Sequence, residues 1–122
     1  MQVLVVDDSQ IMRKIIIGVL KRLNIKEIVE AADGQEAIEA VAANTDIGLI
    51  LMDWNMPRMS GIDALKKLRA DNVSAPIVMV TTEGEKQKVI EAIKAGANDF
   101  LIKPFTPKDI TAKLEKFLPA GS

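Results

Sequence analysis

The sequence contains no cysteine and no histidine. Without cysteine there are no disulfides, iron–sulfur clusters or thiolate nucleophiles, a composition that fits a reducing compartment. Without histidine there is no Ser-His-Asp catalysis, no imidazole metal site and no phosphohistidine carrier. Hard cations bound by oxygen ligands are therefore the metal chemistry that remains open to this chain.

The sequence also lacks an excess of charge and a long apolar run. Lysine and arginine number 16, aspartate and glutamate number 17, and the net charge is -1. Electrostatics therefore give no support for nucleic-acid or membrane binding. The N-terminus has no basic segment followed by a long apolar stretch, and no segment approaches the roughly twenty apolar residues that cross a bilayer. We therefore expect a cytoplasmic protein.

Short apolar runs rich in valine and isoleucine alternate with longer segments of helical period, and the pattern repeats five times. This alternation is typical of βα units around a parallel sheet that is buried on both faces. The length of 122 residues and the hydrophobic content of 48% suit one domain. We predict a three-layer, doubly wound α/β domain over residues 1–118, a C-terminal tail at 119–122, and strands at 2–6, 27–31, 47–52, 76–80 and 99–102.

Each predicted strand is followed by a segment with apolar residues at helical spacing. Asp33, Ser60 and Thr106 each stand three positions before an acid, which is typical of a capping box at a helix N-terminus. Gly96 is placed to end the fourth helix in a left-handed conformation. The predicted buried stripes are Ile11, Ile15, Val19 and Leu23 in the first helix, Ile62, Leu65 and Leu68 in the third, and Val89, Ile90 and Ile93 in the fourth.

Polar residues follow four of the predicted strands, where doubly wound sheets bind their ligands. Asp7 and Asp8 follow the first strand, Asp53 the third, Thr81 the fourth and Lys103 the fifth. Taken singly, each has an ordinary explanation as an acid near a helix N-terminus, a turn residue or a solvated charge. Their convergence on one edge favours a site, because three neighbouring carboxylates repel one another unless a cation joins them.

Magnesium is the cation that this set of side chains suits best. It prefers octahedral oxygen coordination, retains several waters and is usually held by one or two carboxylates together with a phosphate. The ammonium group of Lys103 can neutralise a phosphoryl oxygen, and the hydroxyl of Thr81 can donate to another. The residues alone thus indicate a phosphate site with Mg²⁺ at the edge of the sheet.

These motifs resemble the receiver domain of bacterial response regulators over residues 3–118. Within that family, the run Met52-Asp53-Trp54-Asn55-Met56-Pro57 is most similar to the single-domain chemotaxis regulators. The resemblance implies a flavodoxin-like sheet with the strand order 2-1-3-4-5. It rests on a motif set that consists of the acidic pair Asp7-Asp8, the acceptor Asp53, the hydroxyl residue Thr81, the aromatic Phe100 and the Lys103-Pro104 peptide.

The resemblance implies a role for each residue of the site. Asp53 is expected to accept a phosphoryl group from a phosphohistidine of a sensor histidine kinase. Asp8, Asp53 and the backbone carbonyl of Asn55 are expected to hold Mg²⁺, with Asp7 reaching it through water. Lys103, followed by a cis peptide bond to proline, is expected to offset charge on the phosphoryl group during transfer.

The resemblance also implies a switch and an output surface. Thr81 is expected to move toward the phosphoryl group and leave space for the ring of Phe100. Chemotaxis regulators commonly carry tyrosine at that position, so the resemblance implies burial of the ring without a hydroxyl hydrogen bond. Asn55 and Glu83 are expected to govern the lifetime of the phosphoryl group. The expected output surface, which meets a partner such as the flagellar motor switch or a phosphatase, contains Lys86, Val89, Phe100 and Lys113.

The sequence therefore predicts a signalling switch rather than an enzyme that acts on metabolites. Three other functions stay open. A receiver domain of a larger regulator or phosphorelay would show the same site. An aspartate-nucleophile phosphatase also uses carboxylates and magnesium, although such enzymes usually carry Asp-x-Asp where this chain has Asp7-Asp8-Ser9. A flavodoxin-like cofactor binder shares the fold, but the acidic pair would repel the cofactor phosphate.

Overall fold

The computed structural model describes residues 1–82 and 86–118, which form alternating strands and helices. The predicted tail at 119–122 lies outside the described residues. None of the described helices has the length and hydropathy that a bilayer crossing requires. The elements are β1 (Gln2–Val6), α1 (Gln10–Arg22), β2 (Glu27–Ala31), α2 (Gly34–Ala43), β3 (Ile47–Asp53), α3 (Gly61–Ala70), β4 (Ile77–Thr81), α4 (Lys86–Ala95), β5 (Asp99–Ile102), α5 (Pro107–Leu114) and a 3-10 turn at Glu115–Phe117.

The sheet has five parallel strands in the order β2-β1-β3-β4-β5. This confirms the predicted α/β class and the order 2-1-3-4-5. The register aligns Val6 of β1 with Ala31 of β2 and Met52 of β3, so the three strands end at the same edge. The chain reverses its winding direction between β1 and β3, and this is the point at which such sheets open a crevice for ligands.

Two apolar layers cover the two faces of the sheet. Val3 and Val5 of β1 pack in one cluster with Leu20 of α1 and Leu114 of α5. The alternate residues of β1, Leu4 and Val6, pack in a second cluster with residues of α2, α3 and α4. Each large apolar side chain buried in this way contributes about 1.5–3 kcal/mol relative to exposure. The resulting core fixes the ends of the strands on which the polar residues lie.

Two strands differ from the prediction, by one residue at the end of β3 and by one residue at each end of β4. β3 runs on to Asp53, and β4 covers Ile77–Thr81 instead of 76–80. Pro76 has no N–H to contribute to a ladder, and its carbonyl accepts a 2.9 Å hydrogen bond from the N–H of Ile50. Asp53 and Thr81 are thus the last residues of their strands, held by the ladder rather than by a loop.

The buried stripes predicted for α1 and α4 were only partly correct. In α1 the buried residues are Ile16, Val19 and Leu20, whereas Ile11 is 74% exposed and Ile15 is also exposed. The helix carries apolar residues on more than one side, so the spacing alone did not fix which side faces the sheet. In α4 the small Ala92 is the buried contact, with Val89 half-buried and Ile90 and Ile93 exposed. The stripe predicted for α3, Ile62, Leu65 and Leu68, is buried as expected.

The predicted N-cap residues are confirmed at all three helices, and the complete capping box is seen at α5. Thr106 and Asp109 form a complete capping box at α5, and the hydroxyl of Ser60 accepts from the backbone N–H of Asp63 at α3. At α2 the carboxylate of Asp33 accepts from the N–H of Glu36, but the Glu36 carboxylate accepts from the N–H of Ala32 rather than from that of Asp33. Gly96 has φ +112°, the positive value predicted for the end of α4.

Candidate functional site

Three carboxylates meet at the carboxyl edge of the sheet. Asp7, Asp8 and Asp53 each place an oxygen within 4.8 Å of the others. Asp7 is 1% exposed and Asp53 is 7% exposed, whereas Asp8 is open to solvent. A cluster of carboxylate oxygens, with one member facing solvent, is the kind of donor set in which Mg²⁺ binds and keeps part of its water shell. The structure thus brings the three predicted acids together in an arrangement that fits the expected cation.

Lys103 supplies the positive charge inside this cluster. Its Nζ lies 3.1 Å from Oδ2 of Asp7 and 3.4 Å from Oδ1 of Asp53, and its side chain is 15% exposed. Burial acts to lower the pKa of Lys103, but the hydrogen bond to Asp7 and the charge of Asp53 outweigh it and raise that pKa. The ammonium group is therefore fully charged at neutral pH. The Lys103–Pro104 peptide bond is cis, as the resemblance implied.

The Asp53 carboxyl has a raised pKa. Burial and the nearby charge of Asp7 raise the pKa of Asp53 to about 6, against the opposing effect of Lys103. One ammonium group therefore does not compensate for two buried carboxylates. At neutral pH Asp53 is still mostly ionised, so a carboxylate nucleophile is available in a site that gains from an additional cation.

Asp53 is held in place through the backbone that follows it. The N–H of Trp54 donates to the carbonyl of Val80 at 3.0 Å and to Oδ1 of Asp53 at 2.9 Å. The N–H of Gly61 donates to the carbonyl of Trp54 at 2.8 Å. A Cβ on Gly61 would lie 1.9 Å from the carbonyl oxygen of Asp53, so only glycine lets α3 begin this close to Asp53.

An arginine that the sequence analysis did not select supports the Asp7-Asp8 segment. NH1 of Arg13 donates to the carbonyl of Asp7 at 2.5 Å, and Nε donates to Oε1 of Glu30 at 2.9 Å. The N–H of Ser9 donates to Oδ1 of Asp7 at 2.8 Å, and the Ser9 hydroxyl caps α1. These contacts hold Asp7 through both its backbone carbonyl and its carboxylate. An arginine on an amphipathic helix reads as a solvated charge, so no sequence signal marked it.

The predicted switch residues lie on neighbouring strands. Thr81 ends β4, is 3% exposed, and its carbonyl accepts from the N–H of Lys103 at 2.7 Å. Phe100 lies on β5 opposite Met79 of β4 and is half-buried. Of the two residues expected to govern the lifetime of the phosphoryl group, Asn55 is exposed two positions after Asp53, and Glu83 lies outside the described residues.

Of the predicted output residues, Lys113 contacts the ring of Phe100. Nζ of Lys113 lies 4.8 Å from the ring centroid and 3.0 Å from Oδ1 of Asp99. Asp99 is buried and also pairs with Lys116, a contact that the sequence analysis missed. Lys86 is exposed and Val89 is half-buried on α4. A groove of about 490 Å³ runs beside this ring, lined by Phe100, Leu101, Ile102, Phe105, Asp109, Ala112, Lys113 and Lys116.

Comparison with known proteins gives one consistent result for the sequence. The sequence model of the response regulator receiver domain matches residues 3–115. The chemotaxis protein CheY1 of Helicobacter pylori is 51% identical over 120 residues, which are 97% of this chain and 97% of that protein. A chemotaxis protein CheY homolog of Campylobacter jejuni is 48% identical over 124 residues, covering 100% of this chain and 95% of the relative.

Solved structures give the same result for the fold. Chemotaxis protein CheY4 of Vibrio cholerae has a TM-score of 0.88 and 34% identity, with 96% of this chain and 98% of that chain covered. The complex of CheX, CheY, BeF3 and Mg²⁺ from Borrelia burgdorferi matches with a TM-score of 0.90 and 28% identity, over 97% of this chain and 90% of that chain. Sequence and fold thus point to the same group of signalling proteins.

Proposed function

Because the chain belongs to the response regulator receiver domain family and is closely related to the CheY chemotaxis regulators, we propose that Asp53 accepts a phosphoryl group from a sensor histidine kinase. The reaction requires Mg²⁺, and it changes the affinity of residues 1–118 for an output partner. The observation that carries the proposal is the cluster of Asp7, Asp8 and Asp53 around Lys103. It combines a nucleophile, a cation site and a fixed ammonium group.

The transfer follows from the positions of these groups. A carboxylate oxygen of Asp53 forms a bond to phosphorus while the bond from phosphorus to the imidazole nitrogen of the donor breaks, and its electron pair returns to the imidazole. Lys103 lies within 3.4 Å of Oδ1 of Asp53 and offsets the charge on the phosphoryl oxygens. When bound, Mg²⁺ would supply further positive charge to offset that of the phosphoryl group. Asp8, Asp53 and the backbone carbonyl of Asn55 are its proposed ligands, with Asp7 acting through water.

Phosphorylation is proposed to shift a population between two arrangements of the region around Phe100. Thr81 ends the strand next to β5 and is buried at the acceptor edge. If its hydroxyl donates to the phosphoryl group, the space beside it becomes available to the half-buried ring of Phe100. This change alters the proposed output surface, which contains Lys86, Val89, Phe100 and Lys113, and so alters its affinity for a partner. The relation to chemotaxis regulators suggests a flagellar motor switch protein or a phosphatase as that partner.

The test is the intact mass of the protein after incubation with acetyl phosphate, with and without Mg²⁺. We expect the mass of one phosphoryl group to be added to the wild type in the presence of Mg²⁺ and not in the presence of a chelator. Asp53→Asn should add none. Glu115→Gln on the C-terminal turn is the control, because it removes an exposed carboxylate away from the site, and it should behave as the wild type. Equal phosphorylation of Asp53→Asn would refute the proposal.

A further inference from the structure

The segment between β3 and α3 carries an ion pair that joins it to the start of α2. Nε of Arg58 lies 2.7 Å from Oδ2 of Asp33, and NH2 lies 3.6 Å from Oε2 of Glu36. The Arg58 side chain is exposed, but that of Asp33 is buried at 7% exposure. The carboxylate is shielded from solvent and the contact is short, and the hydrogen bond from Arg58 lowers the pKa of Asp33.

The backbone at Arg58 needs this support. Arg58 has φ +63°, in the left-handed region that costs free energy for any residue with a Cβ. The N–H of Met59 donates to the carbonyl of Pro57 at 2.7 Å, which closes a tight turn around Arg58. Since glycine is the usual residue for such a turn, a long charged side chain at this position implies that the side chain itself has a task.

Backbone hydrogen bonds hold the segment between β3 and α3 at both of its ends. The N–H of Gly34 donates to the carbonyl of Met59 at 3.1 Å, and a Cβ on Gly34 would lie 2.6 Å from that oxygen. The other end of the segment is fixed by the hydrogen bond from Gly61 to Trp54. Asn55 therefore lies on a short piece of chain that is anchored at the acceptor on one side and at Asp33 on the other.

We propose that Arg58 is a positioning residue for Mg²⁺: its ion pair with Asp33 holds the segment that carries Asn55, and so raises the affinity of the acidic cluster for the cation. This inference rests on the proposed function, which assigns the backbone carbonyl of Asn55 to the metal. The ion pair raises the affinity for Mg²⁺ by holding the segment in position. The positive charge of Arg58 has the opposite effect, because a cation near the site repels Mg²⁺, and loss of that charge alone would tighten binding.

The two effects of Arg58 therefore differ in sign, and this makes the proposal testable. Arg58→Asn removes the charge and the ion pair, while asparagine tolerates a positive φ better than most residues do. Asp33→Ser removes the partner but keeps an N-cap acceptor for the N–H of Glu36. Lys67→Ala is the matched control, because it removes one positive charge and one exposed ion pair, to Asp71, at the far end of α3.

The experiment is calorimetric titration of the metal-free proteins with MgCl₂. We expect Arg58→Asn and Asp33→Ser each to raise the Kd for Mg²⁺ by about three- to tenfold, and the double variant to resemble either single variant because both remove the same contact. Lys67→Ala should leave the Kd unchanged. An unchanged or lower Kd in Arg58→Asn, or effects that add in the double variant, would overturn the proposal. A wild type that binds no Mg²⁺ would instead refute the metal site of the proposed function.

Discussion

The backbone N–H of Trp54 donates a 2.9 Å hydrogen bond to Oδ1 of Asp53. Trp54 is the only tryptophan of the chain, its side chain is buried, and Nζ of Lys88 lies 5.4 Å from the centroid of its ring. A change in charge or order at the Asp53 carboxylate therefore acts on the backbone of the residue that carries the single indole. We expect the fluorescence of Trp54 to report on this site.

Mg²⁺ should change the emission of Trp54 without any phosphodonor. Binding of one divalent cation relieves the repulsion among the three carboxylates, so the emission should follow a one-site saturation curve. Asp8→Ala removes a proposed direct ligand and should raise the apparent Kd by about tenfold or more. Glu115→Ala is the control and should titrate as the wild type. An unchanged titration in Asp8→Ala would mean that the acidic pair only complements the start of α1.

The raised pKa of Asp53 predicts a pH-dependent stability. Burial raises the pKa of Asp53 to about 6 in the folded state, above the value near 3.9 of an unfolded chain. The contribution of Asp53 to the stability of the folded state is thus fully present below pH 4 and is lost as the pH rises through 6. In metal-free buffer at pH 7, Asp53→Asn should therefore be more stable than the wild type by about 1–3 kcal/mol.

This difference should shrink as the pH falls toward 4, where Asp53 is protonated in the folded state and about half protonated in the unfolded chain. Urea unfolding of the wild type and Asp53→Asn at intervals between pH 4 and 8 measures it directly. Glu115→Gln provides the matched control and should show no such trend. A stability difference that stays constant across this range would show that Asp53 is not destabilised by its own charge.

Thr81→Ala should separate phosphorylation from its effect on the output surface. The variant keeps Asp53, Lys103 and the acids, so it should still gain one phosphoryl group. It lacks the hydroxyl that is proposed to move, so chemical-shift changes over residues 86–113 on phosphorylation should be much smaller than in the wild type. Partner affinity should lose most of its phosphorylation-dependent change, which is typically about 1–3 kcal/mol in allosteric proteins. Wild-type shift changes in Thr81→Ala would contradict the coupling.

The polar residues Asn55 and Glu83 should shorten the lifetime of the phosphoryl group. Polar side chains at the rim can orient an attacking water, whereas a bulky or basic side chain obstructs it. The double variant Asn55→Met, Glu83→Lys should lose its phosphoryl group about tenfold more slowly than the wild type. Phosphorylated protein can be followed by intact mass after removal of acetyl phosphate. Equal decay of the two proteins would remove both residues from the account.

The position of the site was predictable from the sequence, because parallel strands end at a common edge. That geometry places Asp7, Asp8, Asp53 and Lys103 at one edge of the sheet. The structure brings an oxygen of each acid within 4.8 Å of the others and Nζ of Lys103 within ion-pair distance of Asp7 and Asp53. The order of the strands was not derivable from spacing and came from the resemblance to receivers. Their ends were predictable to one residue because Pro76 and the apolar runs mark them.

The contacts between distant segments were not predictable in the same way. Arg58 and Asp33 are 25 positions apart, and nothing in either local sequence identifies the other as its partner. The same holds for Lys113 and Asp99. From the sequence alone, a lysine on α5 is expected to be a solvated charge, and its contact with the buried Asp99 is visible only in the fold. The prediction of which side of α1 is buried was partly wrong for a related reason. The packing of the helix against the sheet, and not the periodicity of its sequence, decides which side is covered.

The most direct test of the account is the identity of the residue that carries the phosphoryl group. An acyl phosphate on an aspartate is reduced by borohydride to homoserine, and peptide mapping by mass spectrometry then locates it. After incubation with acetyl phosphate and Mg²⁺, we predict homoserine at position 53 in the wild type and at no position in Asp53→Asn. Homoserine at position 7 or 8, or none at position 53 in phosphorylated wild-type protein, would contradict the assignment of Asp53 as the acceptor.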